Sequence, residues 1–216
     1  MIAGNGQSAT LTAHDAQRLE DCLTGDGVAL IPTDTVYGLA CNPDSESALR
    51  RIYELKGRPP LKPAAVMFFA LEPAFDELTE LGPRTRTALQ ALLPGPVTVL
   101  LANPRERFVA ACDPGASGSG LLGLRVPTFA GSLAALGAIR LPAAQSSANL
   151  SGERDPRTLT DVPSELLEGC ELALDGGELA GMASTVLDLS GYESTGRWQI
   201  VRAGPLDAAV LERLLD

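Results

Sequence analysis

Apolar positions recur along this chain with two periods, and the switching between them predicts the architecture. From Thr12 to Thr24, Ala16, Leu19, Cys22 and Leu23 share one side of a helix. Thr12 and Asp15 form an N-terminal cap pattern, and Gly25 and Gly27 end the segment. Val28 to Ile31 is a short apolar run stopped by Pro32, which predicts a buried strand. Asp44 to Leu55 predicts a second helix, with Ala48, Leu49, Ile52, Tyr53 and Leu55 as its apolar side. Ala64 to Leu71, Val97 to Ala102 and Gly123 to Val126 read as strands, and Phe75 to Leu81 and Arg84 to Leu93 as helices. Leu133 to Gly137 reads as a helical turn and Ile139 to Ala148 as mixed strand and loop. In the last third, Pro163 to Leu167 reads as helix and Leu172 to Asp175 as extended chain. Thr185 to Leu189 and Trp198 to Val201 read as strands, and Leu206 to Leu215 as a closing helix. Asn103 to Gly120, rich in Pro, Arg and Gly, predicts a long surface loop. Strands alternating with helices predict an α/β fold, with a mixed sheet rather than an all-parallel one. No repeat or linker interrupts the pattern, so one domain over residues 8–216 is expected.

Composition sharpens this picture. Hydrophobic residues make up 45% of the chain and charged ones 20%, which suits a packed core and argues against disorder. Aromatic residues are only 4%, so that core must be built from Ala, Val, Leu and Ile. The net charge of -10 serves solubility and disfavours broad nucleic-acid binding; any RNA contact needs a local basic cluster. The 17 basic residues include just two lysines, Lys56 and Lys62, and both lie in one short stretch with Arg58. Lysine there supplies a compact, mobile ammonium that arginine cannot mimic. The four cysteines form no C-x-x-C pair, the first residues lack a signal-peptide pattern, and no apolar run reaches about 18 residues. A cytoplasmic protein with reduced thiols and no membrane span is the expectation. The single histidine, His14, sits at a predicted helix start and reads as a surface residue; no G-x-S-x-G elbow supports a Ser-His-Asp triad.

Several short motifs fail on context. Gly118 to Gly123 matches G-x-G-x-x-G but leads from a loop into a strand, where a dinucleotide fingerprint must open a helix. Asn149-Leu150-Ser151 matches a glycosylation sequon in a chain with no sign of secretion, and no P-loop is present. Three other segments carry more chemistry. Pro32 to Leu39 places hydroxyls and a carboxylate directly after a buried strand, where ligands dock in α/β sheets; an ordinary polar turn has the same composition. Lys56, Arg58 and Lys62 repel one another unless an anion sits among them, although a helix C-terminus also favours Lys56. Gln145 to Gly152 is small and hydroxyl-rich after an apolar segment; it suits backbone binding of phosphate, or a serine-rich turn.

Taken together, these segments resemble the YrdC-like family of threonylcarbamoyl-adenylate synthases. The match runs P-T-[DE]-T-x-Y-G-L at Pro32, K-x-R-P at Lys56, P-G-P-x-T at Pro94 and R-V-P at Arg125. It continues with S-x-N-x-S-G at Ser147, S-T-V at Ser184 and R-x-G at Arg202. Seven elements in order from Gly27 to Pro205 are far more specific than any one of them, and they resemble the short, single-domain members.

The resemblance implies a twisted mixed parallel and antiparallel sheet with flanking helices around a large concave basic cavity. It implies formation of threonylcarbamoyl-AMP and pyrophosphate from L-threonine, bicarbonate and ATP, with Mg2+ carried on the ATP. The product would pass to separate tRNA threonylcarbamoyl transferase proteins. Thr35, Met67, Arg125 and Ser184 would hold threonine; Arg58, Lys62, Ser147, Asn149 and Arg202 would hold ATP. Lys56 and Arg58 would be the catalytic pair, and no protein metal ligand is implied. The chain departs from the family pattern at Lys62, where many members have asparagine, and at Met67, where many have histidine. Asp155 and Leu121 replace a serine and a threonine. The alternative is a paralogue that uses the same cavity to bind tRNA, double-stranded RNA or a nucleotide without making the adenylate. A carbamoyl-transfer domain of a larger maturation protein is a third reading.

Overall fold

The computed structural model describes residues 10–57, 63–112 and 120–215. Among the described residues, nine strands form one mixed sheet. They are β1 (Ala29–Ile31), β2 (Gly38–Cys41), β3 (Ala65–Met67), β4 (Val97–Ala102), β5 (Leu121–Arg125), β6 (Ala143–Ser147), β7 (Leu172–Ala173), β8 (Thr185–Asp188) and β9 (Gln199–Arg202). The order across the sheet is β7-β1-β2-β6-β3-β5-β4-β8-β9. Parallel pairs join β1 to β7, β3 to β5 and β4 to β8, and the other neighbours are antiparallel. The helices are α1 (Ala13–Thr24), α2 (Glu46–Leu55), α3 (Leu71–Glu77), α4 (Pro83–Leu92), α5 (Val109–Cys112), α6 (Ser164–Glu168), α7 (Tyr192–Thr195) and α8 (Ala208–Leu215). The mixed α/β architecture is the one expected. No helix among the described residues is long and apolar enough to cross a membrane.

Strand alternation assigns each residue to a face. Leu30, Leu39, Val66, Val97, Val99, Leu122, Leu124 and Leu187 point to one face, where α2, α4, α5, α6 and α8 cover them in the larger core. Ala29, Ile31, Ala40, Met67 and Ala143 point to the other, beneath α1 and the 3-10 turn Gly131–Ala138. That second cover ends part-way across the sheet. The remaining positions of the same face, on β3, β4, β5, β6 and β8, border an open hollow.

The expected cap of α1 is present: Thr12 Oγ1 accepts from the Asp15 amide, and the Asp15 carboxylate accepts from the Thr12 amide. His14 is exposed, in line with the sequence expectation. Two elements differ. Gly38–Cys41, part of a segment whose composition suits a polar turn, is a strand. All four of its residues are buried, so it shows no alternation, and its Gly and Ala have poor strand propensity. The run Ala64 to Leu71 is a strand only over Ala65–Met67, and the next helix starts at Leu71 rather than Phe75. Pro73 is tolerated there because it lies in the helix's first turn. Of the expected loop Asn103 to Gly120, the described part contains α5, while residues 113–119 lie outside the described residues.

Candidate active site on the uncovered half of the sheet

The hollow has a volume of about 380 Å³. Its floor includes Ala65, Leu100, Gly123 and Val186; its polar lining includes Thr98, Arg125, Gln145, Ser147, Ser184 and Arg202. Small residues at the centre of the sheet make the floor concave. The strand register sets these side chains beside one another: Thr98 opposes Arg125 across β4 and β5, and Ala65 opposes Gln145 across β3 and β6.

Arg125 ends β5 and is only 4% exposed. Its Nη2 donates to Thr33 Oγ1 (3.1 Å), to Asp34 Oδ1 (3.0 Å) and to the hydroxyl of Thr35, and its Nη1 donates to Gln145 Oε1 (3.1 Å). Asp34 is held in turn, because its Oδ2 accepts from the Thr128 amide at 3.0 Å. Thr33 Oγ1 also donates to the Val36 carbonyl at 2.7 Å, which closes the turn carrying the hydroxyl and carboxylate acceptors. Burial pushes the guanidinium's pKa down from its ordinary value, and the adjacent Asp34 carboxylate opposes that shift. An arginine stays charged regardless. Its Nε is buried with no partner among the described residues. The turn Pro32–Tyr37 is therefore an anchor for a buried cation. Tyr37 fastens the same turn to a distant loop, donating from its hydroxyl to Gly177 O at 2.8 Å and accepting from the Gly176 amide.

Lys56 caps the C-terminus of α2, and Gly57 follows it in the left-handed region at φ 55°. Lys56 is 3% exposed. Its ammonium donates to the Ser147 carbonyl, to the Asn149 carbonyl at 2.8 Å and to Asn149 Oδ1 at 3.2 Å. Ser147 Oγ donates to the same Asn149 Oδ1 at 2.6 Å, and Asn149 Nδ2 donates to Glu153 O at 2.6 Å. The chain amide of Ser151 returns to the Lys56 carbonyl at 3.2 Å. Lys56 is thus held in place, where the sequence suggests a mobile charge, and it shapes the turn at the cavity's edge.

The third cluster lies on the opposite wall. Ser184 Oγ and Thr98 Oγ1 are 2.8 Å apart, and Arg202 donates to the Ser184 carbonyl at 2.8 Å. Close packing explains the glycine of R-x-G. A Cβ at Gly204 would lie 2.3 Å from the Thr185 amide nitrogen and 2.7 Å from the Ala183 carbonyl oxygen. At Gly57, by contrast, no atom of the described residues lies within 4 Å of an added Cβ. Gly204→Ala is accordingly expected to cost roughly 1–3 kcal/mol by steric displacement. Gly57→Ala should cost about 1 kcal/mol through its backbone alone. Thermal unfolding of both variants checks this, and equal midpoints for Gly204→Ala and the parent contradict it.

Of the residues singled out from sequence, Lys56, Thr35, Arg125, Ser147, Asn149, Ser184 and Arg202 converge on this hollow or on the turns that border it. Met67 does not reach its surface: it opposes Arg125 across β3 and β5 but is fully buried in the smaller core. Arg58 and Lys62 lie outside the described residues, between Gly57 and the cavity-lining Pro63. Asp34 and Thr33, which hold Arg125, and Gln145, which accepts from it, lie in segments that the sequence marks out, but it assigns none of them this role. Their roles depend on Arg125, 91 or 92 positions away for the first two and 20 for the third.

The Sua5/YciO/YrdC family model, described as "Telomere recombination", matches residues 21–204. The threonylcarbamoyl-AMP synthase of Pyrococcus abyssi is 30% identical over 185 residues, covering 85% of this chain and 52% of its own length. The chain therefore spans about half of that relative. The crystal structure of P. abyssi Sua5 complexed with L-threonine superposes with a TM-score of 0.76 at 26% identity, over 94% of this chain and 58% of that one. E. coli YciO superposes with a TM-score of 0.77 at 21% identity, over 94% of this chain and 96% of that one, which shows a shared fold. With the family model covering most of the chain and these likenesses beside it, the protein belongs to the YrdC/Sua5 family.

Proposed function

We propose that this protein is an L-threonylcarbamoyladenylate synthase, which forms threonylcarbamoyl-AMP, pyrophosphate and water from L-threonine, bicarbonate and ATP. One observation carries the reading: the Arg125 anchor, the Lys56–Ser147–Asn149 turn and the Ser184–Arg202 wall, far apart in sequence, border one hollow. The reaction must bring together an amino-acid carboxylate, a carbamate and a triphosphate, and fixed positive charge offsets their repulsion.

In this reading Arg125 receives the threonine carboxylate, and the Thr35 and Ser184 hydroxyls orient the amino acid. Ser147, Asn149 and Arg202, with Arg58 and Lys62, hold ATP, whose magnesium enters with it as substrate. Lys56 fixes the turn that presents the phosphates. The threonine nitrogen forms the new bond to the bicarbonate carbon, with loss of water. A carbamate oxygen then attacks the α-phosphorus, and the bond to pyrophosphate breaks. Orientation alone is worth up to about 7–11 kcal/mol in such reactions, so no covalent protein intermediate is required. The adenylate would supply tRNA threonylcarbamoyl transferase proteins.

A second reading, a nucleotide- or RNA-binding paralogue without synthase activity, draws on Met67, whose buried thioether offers threonine no hydrogen bond. The test is pyrophosphate release from ATP by the purified protein. Release that requires both threonine and bicarbonate is expected. Folded protein that binds ATP yet releases nothing under those conditions favours the second reading.

A further inference from the structure

Residues 174–184 run from β7 to β8 with no helix or strand, and the last two, Ala183 and Ser184, line the hollow, as Val36 does. Two ties fasten this strap to the turn that anchors Arg125. At one, the Gly181 amide donates to the Thr35 carbonyl at 2.8 Å. At the other, the Tyr37 hydroxyl donates to Gly177 O at 2.8 Å, with Asp175 Oδ1 also in reach at 3.1 Å. The same hydroxyl accepts from the Gly176 amide at 3.0 Å. Tyr37 is fully buried, and burial pushes its pKa up, so the phenol keeps its proton. Between the ties, the Leu179 amide donates to the Arg157 carbonyl at 2.8 Å. Gly181 lies in the left-handed region at φ 77°, and a Cβ there would stand 2.3 Å from the Arg157 side chain.

Thr35 has its carbonyl on the strap and its hydroxyl on Arg125 Nη2, so movement of the strap reaches the buried cation through one residue. The Ser147–Asn149 turn is joined to Tyr37 differently. There the Tyr37 backbone carbonyl accepts from the Ala148 amide at 2.9 Å. Removing the phenol oxygen therefore loosens the strap and spares that turn. We propose that Tyr37 is a positioning residue, whose hydroxyl holds the 174–184 strap against Thr35 and so sets the affinity for the amino acid that Arg125 and Ser184 receive. Naming that amino acid as threonine rests on the functional reading above.

The test uses two variants of the full chain. Tyr37→Phe keeps the buried ring and loses only the hydroxyl; Gly181→Ala presses on the strap at its other tie. Hydrogen exchange of the amides at positions 179 and 181 reads the strap. The pyrophosphate assay reads KM for threonine and KM for ATP separately from kcat. Loss of a neutral hydrogen bond corresponds to a factor of about two to ten. Both variants should exchange those amides faster and raise the threonine KM by that factor, with kcat and the ATP KM as in the parent. A merely structural hydroxyl would lower the unfolding midpoint and leave the threonine KM alone, and that result overturns the proposal. Equal rises in both KM values, or strap amides that exchange in Tyr37→Phe as in the parent, overturn it as well. Where Tyr37→Phe fails to fold, the threonine KM of Gly181→Ala decides in the same way. A folded parent that releases no pyrophosphate overturns the functional reading and this proposal together, whereas the other adverse results overturn the proposal alone.

Discussion

Replacing Arg125 by methionine should abolish threonine-dependent pyrophosphate release and destabilise the protein at the same time. The two losses have different origins. Arg125 and Asp34 are an ion pair at 3.0 Å with side chains 4% and 10% exposed. Removing the cation leaves a carboxylate buried without its counter-charge, which costs roughly 3–5 kcal/mol. Thr33 and Thr35 lose the same partner. In the double variant Arg125→Met with Asp34→Asn, no charge is stranded, so most of the stability should return. Activity should not return, because no cation remains where the threonine carboxylate would bind. Urea unfolding and the pyrophosphate assay on both variants read the two effects separately. Recovery of turnover in the double variant would show that Arg125 serves only the fold.

Lys56→Met should lower the unfolding midpoint and remove ATP-dependent turnover. The methionine keeps the apolar stem, so packing along α2 survives while the ammonium is lost. Three oxygens of the Ser147–Asn149 turn then lose their shared donor. Hydrogen bonds from a charged group contribute more than neutral ones, and buried acceptors left unpaired add a desolvation cost, so roughly 2–4 kcal/mol is expected. For a chain of this size that is a fall of roughly 5–15 °C in the midpoint. Lys56→Arg should not rescue either property, since a planar guanidinium cannot place one donor centre among three converging oxygens. An unchanged midpoint in Lys56→Met would mean that the turn holds itself together without the ammonium. The stability loss also separates Lys56 from a purely catalytic lysine, whose removal would leave the fold untouched.

Much of the architecture is legible in the sequence where one local rule dominates. Val97–Ala102 is apolar at every position but Thr98 and is a strand over those residues. The Thr12 and Asp15 cap is local and forms as its pattern predicts. Gly38–Cys41 is not legible as a strand, because being buried on both faces erases alternation. For the site, the motif segments name where the chemistry would gather, but not how the parts hold one another. Nothing local marks Gln145 as the neighbour of Arg125; that follows from β6, β3 and β5 lying side by side. Nothing local marks Lys56 as buried either, since its acceptors include backbone carbonyls 91 and 93 positions away. The family pattern points Met67 towards the ligand, whereas it is fully buried in the smaller core that α1, the 3-10 turn and Phe69 share.

A crystal of the protein grown with L-threonine and a non-hydrolysable ATP analogue puts the shared hollow to its most direct trial. The amino-acid carboxylate should lie against Arg125, and the phosphates between Arg202 and the Ser147–Asn149 turn, with the threonine nitrogen facing the α-phosphate. Nucleotide density in a separate hollow, or threonine bound away from Arg125, would contradict the account.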